Sequence, residues 1–65
     1  MNETWCKCIA EPRGDDGLEG FVRNDTYRYV QLTAEDKKEY YRVYVTAFYY
    51  ETCGPKTFKK YFKPL

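Results

Sequence analysis

The chain has 65 residues, enough for a single domain spanning 1–65; a domain of this size buries only about 60% of the surface its unfolded chain exposes, so its core must be dense. Eight Tyr, four Phe and one Trp supply the bulk, each ring able to bury on the order of 150–250 Å². Hydrophobic residues at 43%, charged residues at 32% and a net charge of +1 exclude a disordered chain and single out no partner by overall charge.

In chain order, the alternation in Thr4 to Ala10 predicts a first strand with Cys6, Cys8 and Ala10 on one face and Trp5, Lys7 and Ile9 on the other. Glu11 to Gly20 holds one Pro, three Gly and two adjacent Asp around a lone Leu18, the composition of a long loop. Phe21 to Arg23 reads as a short extended piece before a turn at Asn24-Asp25, side chains that tolerate left-handed backbone. Thr26 to Leu32 is a strand rich in β-branched and aromatic residues, with Tyr27, Tyr29 and Gln31 alternating against Arg28, Val30 and Leu32. Thr33 to Glu39 is a charged connection, more simply a hairpin loop than a helical turn.

Tyr40 to Tyr50 is the strongest β signal, eleven residues without a breaker, placing Tyr41, Val43, Val45 and Ala47 opposite Tyr40, Arg42, Tyr44, Thr46 and Phe48. Strands seldom exceed about 10 residues, so a bend near Thr46-Ala47 is expected to split it. After Cys53-Gly54, Pro55 suits the first position of a helix, where its missing N–H costs nothing. Phe58, Tyr61 and Phe62 then fall at i, i+3 and i+4 as one apolar stripe, with Lys56, Lys59, Lys60 and Lys63 toward solvent. The expected fold is mainly β: a small SH3-like barrel or a strongly curved antiparallel sheet, with one short helical turn near the C-terminus.

With no His and no Ser in the chain, Ser-His-Asp and Cys-His nucleophile pairs and His-ligated metals are excluded. Cys6 and Cys8 lack the turn spacing of a zinc knuckle, and the three cysteines read as small buried hydrophobes, with pairing of Cys53 to Cys6 or Cys8 left open. The expectation is therefore a chain that is not an enzyme and has no cofactor and no metal. Met1 to Thr4 lacks the basic start and apolar core of a signal peptide, and no apolar run reaches the ~18–20 residues that span a bilayer, which points to the cytoplasm and away from membranes. In that compartment the Arg13-Gly14-Asp15 tripeptide is a coincidence.

The stretches Lys7-Cys8-Ile9, Phe21 to Tyr29, Tyr41-Arg42-Val43-Tyr44 and Phe58 to Phe62 together resemble small accessory proteins of bacteriophages and prophages that have an SH3-like plan. The uninterrupted Tyr40 to Tyr50 segment departs from that pattern, in which a Gly- or Asp-containing turn is usual. The resemblance implies a mobile-element protein working in the cytoplasm of a bacterial host, and it implies no catalytic residue.

Two surfaces follow as candidates. A sheet this small cannot bury thirteen rings, and exposed Tyr is enriched in protein-binding hot spots; Tyr40, Arg42 and Tyr44 beside Tyr27 and Tyr29, with the acidic loop at Asp15 and Asp16, are the candidate contacts for a host protein such as a defence or transcription factor, which the chain would inhibit or modulate. The alternative is nucleic-acid binding through Arg42, Lys56, Lys59 and Lys60, since cations interleaved with rings suit phosphate contact and base stacking. No small-molecule ligand is indicated.

Overall fold

The computed structural model describes residues 4–12 and 18–65. Five antiparallel strands form one sheet: β1 (Trp5–Cys8), β2 (Thr26–Thr33), β3 (Glu39–Tyr44), β4 (Tyr50–Cys53) and β5 (Phe62–Pro64), with a seven-residue helix, α1 (Pro55–Tyr61), between the last two. The strand order is β4-β3-β2-β1-β5. The ladder runs from β4 to β5 without closing on itself, so among the described residues the architecture is an open sheet with one helix. β4 and β5 lie at opposite edges and point the same way, and α1 carries the chain from one to the other across a single face.

Each connection has a local cause. In the β2–β3 hairpin, Ala34 donates to the Lys38 carbonyl (2.9 Å) and Lys37 takes a left-handed φ of 66°, the pattern of a three-residue loop with a bulge. This is the hairpin expected over 33–39. The breaker-free run 40–50 is split as expected, because the Thr46 Oγ1 accepts the N–H groups of Phe48 (3.2 Å) and Tyr49 (3.1 Å) and so replaces a Gly or Asp at the turn. Asn24 adopts φ 76° within the Val22–Asp25 turn, where Asp25 donates to the Val22 carbonyl. Gly20 also has positive φ (88°), and a Cβ there would stand 3.1 Å from Val45 Cγ1, so the backbone conformation and the close approach to Val45, just past β3, both favour glycine at this point.

The helix starts as expected, with Gly54 at the N-cap and Pro55 in the first turn, and Lys59 and Lys60 complement its C-terminal dipole. Seven residues do not make a stable helix alone. Packing supplies the rest, since Phe58 and Tyr61 are almost wholly buried. Phe62 corrects the expected stripe: it sits at φ −132°, ψ 148°, already extended, and opens β5, which the periodicity reading did not foresee.

The core is aromatic. Cys6, Cys8, Leu18, Phe21, Tyr29, Val43, Cys53, Phe58, Tyr61 and Phe62 form one cluster. Phe58 lies at its centre, stacked on Tyr41 (4.1 Å, 8°) and tilted against Tyr29 (4.9 Å). Among the described residues, no helix is long and apolar enough to cross a membrane.

Candidate docking face

Strand alternation gives the sheet an inner face under α1 and an outer face turned away from it. The register places Leu65, Trp5, Arg28, Tyr44 and Tyr50 in one row across the whole outer face: Trp5 opposes Arg28, Arg28 opposes Tyr44, Tyr44 opposes Tyr50, and Leu65 donates its N–H to the Trp5 carbonyl (2.9 Å). The neighbouring row on one side is Val30, Arg42 and Thr52; on the other it is Lys63, Lys7 and Thr26.

The cations and rings of these rows engage one another. The Arg42 guanidinium lies 4.3 Å from the centre of the Tyr50 ring, and Arg28 lies 5.3 Å from that of Tyr44, within reach of cation–π attraction. Tyr44 and Tyr50 pack at 5.4 Å. The pKa of Arg42 is raised above its ordinary value, first by the hydrogen bond with the Tyr44 side chain, so its charge is permanent. Its Nε is shielded from solvent without a hydrogen-bond partner.

Among the described strand residues, the outer face carries Lys7, Arg28, Arg42 and Lys63 and no carboxylate. Lys7 and Lys63 stand directly opposite each other, an arrangement of like charges that destabilises a sheet.

Beside the long row the sheet splits. Arg28 and Tyr44 are the last β2–β3 partners, because Thr46, whose N–H would be the next to face β2, donates instead to the Tyr49 carbonyl (3.1 Å). The divergence opens a cleft of about 290 Å³ walled by Trp5, Thr26, Arg28, Tyr44, Val45 and Ala47 among others. Tyr29 donates its N–H to Thr4 on the β1 side; by ladder alternation Thr26 therefore turns its N–H and C=O the other way, into the cleft, where no β3 residue is in register with it.

Of the expected protein contacts, Tyr40, Arg42 and Tyr44 do share the outer face. Tyr27 and Tyr29 do not, and this corrects the expected grouping: Tyr29 is buried opposite Val43, and Tyr27 packs on the core with its hydroxyl accepting the Val22 N–H (2.7 Å). The rings go inside because Phe58 and Phe21 offer aromatic partners there, leaving the aliphatic Val30 and Leu32 outside. Asp15 and Asp16 lie outside the described residues. The expected nucleic-acid set is divided, since Lys56, Lys59 and Lys60 are on α1 over the inner face while Arg42 points from the outer one. Trp5, Lys7, Arg28 and Lys63 are not candidates by sequence; their place on this face depends on which strands are neighbours.

The three thiols are free and buried. Burial pushes Cys6 up to about 12 and Cys53 up to about 11, and raises Cys8, so all three are protonated at neutral pH and poor nucleophiles. Among the described residues, no cluster of His, Cys, Asp or Glu could hold a metal ion. The chain matches no family model, no curated protein and no solved structure.

Proposed function

We propose that this chain is a non-catalytic binding protein of a bacteriophage or similar mobile element, which docks on a host protein in the bacterial cytoplasm and inhibits or modulates it. In this reading the sheet is an SH3-like barrel opened along one seam, its β1–β4 meander followed by a short helix and a last strand that returns beside β1. The observation that carries the proposal is the outer row Trp5-Arg28-Tyr44-Tyr50, because Trp, Tyr and Arg are the residues that dominate protein-binding hot spots. The row is also braced in advance by its own ring contacts, which lowers the ordering cost of binding. Affinity purification from bacterial lysate, with and without nuclease, tests it. A protein retained after nuclease treatment and lost with Tyr44→Ala is expected; recovery of nucleic acid with no protein would overturn the proposal.

Nucleic-acid binding is the second reading, favoured by the four cations of the outer face, where the described strand residues include no carboxylate. Against it, the Arg28 and Arg42 guanidiniums already lie over the Tyr44 and Tyr50 rings that bases would need for stacking. A gel shift that weakens with salt and with Arg42→Ala is its test.

A further inference from the structure

Resting on the docking reading above, we infer that the cleft between β2 and the β3–β4 hairpin receives an extended, acidic peptide segment of the partner, with a carboxylate on Arg28 and an apolar side chain between Trp5 and Val45. Three independent features of the cleft point to that chemistry.

The first is charge. Arg28 forms part of the wall, and Lys7 and Lys63 occupy the adjacent row, so three cations lie at this end of a face whose described strand residues include no carboxylate. The direct opposition of Lys7 and Lys63 is unfavourable in the isolated protein and is relieved by an anion placed over the pair. The second is backbone. Thr26 presents an N–H and a C=O where a further ladder residue is missing, which is what an extended strand pairs with. The third is shape and polarity: about 290 Å³ bounded by Trp5, Tyr44, Val45 and Ala47 holds one or two side chains, and Trp5 and Leu65 remain partly or largely exposed beside it.

A peptide satisfies these features together, whereas a nucleic acid satisfies only the first. Its bases would find the nearest tyrosine ring occupied by a guanidinium, and its backbone offers nothing that pairs with Thr26 as a strand does.

The experiment is selection of a random heptapeptide display library on the immobilised protein, followed by titration of the selected peptide while the emission of Trp5 is recorded. Trp5 is the only tryptophan in the chain and stands in the cleft wall, so occupancy is read directly. We expect enrichment of peptides that combine Asp or Glu with an apolar residue, a saturable change in Trp5 emission, and a loss of affinity of about tenfold or more in Arg28→Glu and in Lys63→Glu. Circular dichroism of both variants confirms the fold, and Lys63→Glu keeps the test open should Arg28→Glu unfold. Enrichment of basic peptides, no enrichment, or a selected peptide indifferent to both substitutions overturns the inference. So does a short oligothymidylate that binds more tightly than the peptide and displaces it, which would make nucleic acid the occupant. A lysate protein that binds the parent and Arg28→Glu equally removes this inference and leaves the docking reading standing; a parent chain that retains no lysate protein removes that reading as well.

Discussion

Lys63→Glu is the substitution in which stability and binding should move in opposite directions. It converts the cross-strand pair Lys7–Lys63 from repulsive to attractive on an exposed part of the sheet. Opposed charges on adjacent strands contribute roughly 0.2–1 kcal/mol and like charges destabilise by a comparable amount, so the swing from repulsion to attraction is roughly 0.4–2 kcal/mol; solvent screening at exposed sites keeps it in the lower part of that range, about 0.5–1 kcal/mol. For a domain of this size a gain of 1 kcal/mol raises Tm by roughly 4–8 °C, so a rise of about 2–8 °C is expected. Thermal melts at low and high ionic strength are the assay. The gain should shrink as the screening length falls from about 10 Å at 0.1 M salt to about 3 Å at 1 M. A variant that melts no higher than the parent, or whose gain survives high salt unchanged, would show that the two lysines do not repel and that the pair is no sign of a missing anion.

Val43→Asp should unfold the domain, since Val43 is fully buried and an unpaired carboxylate there costs more than the roughly 3–10 kcal/mol a 65-residue fold has available, whereas Tyr44→Ala should fold and lose partner affinity by about 1–2 kcal/mol; urea melts and partner titration separate the two. Phe58→Ala removes the ring at the centre of the core and should cost about 3–5 kcal/mol in the same melts. Lys37→Gly should stabilise by up to about 1 kcal/mol, because a side chain at φ 66° is strained and glycine is not, with part of the gain offset by the freer unfolded chain. Above pH 9 the unfolded chain ionises thiols whose folded pKa values are raised, to about 12 for Cys6 and about 11 for Cys53, so stability should be complete below pH 9 and fall as pH rises through those values; the pH dependence of urea melts, reduced in Cys6→Ala, reads it.

Local signals in the chain were legible where one residue type decides the backbone. Pro55 after Gly54 marked the helix start, and the length of the run 40–50 required a turn that Thr46 then makes with its hydroxyl. That Cys6 and Cys8 share a face followed from alternation, and their burial from cysteine's character as a small hydrophobe. The face of β2 was not legible, because both of its stripes are apolar enough to be buried. Val30 and Leu32 compete with Tyr27 and Tyr29, and the outcome depends on Phe58 and Phe21, which reach those tyrosines only in the folded chain. For the same reason the outer row could be read only in part: Tyr40, Arg42 and Tyr44 share one strand, but Trp5 and Arg28 join them through pairings between distant segments. β5 was hidden because Phe62 continues the helical spacing of Phe58 and Tyr61 while its backbone has already left the helix.

The pairing of β1 with β5 also sets the order in which the outer face can assemble. β2, β3 and β4 are joined by short hairpins and can pair early, but Cys6 and Pro64 are partners across nearly the entire chain. Loop closure over that separation is slow compared with forming a hairpin. Leu65 therefore enters the outer row last, after β1 has set Trp5 beside Arg28, and a chain that has folded only the β2–β4 hairpins holds Arg42 over Tyr50 without the wall that Trp5 provides. Affinity for a partner should appear in a refolding experiment with the slowest phase, as a signature of global closure and not of hairpin formation.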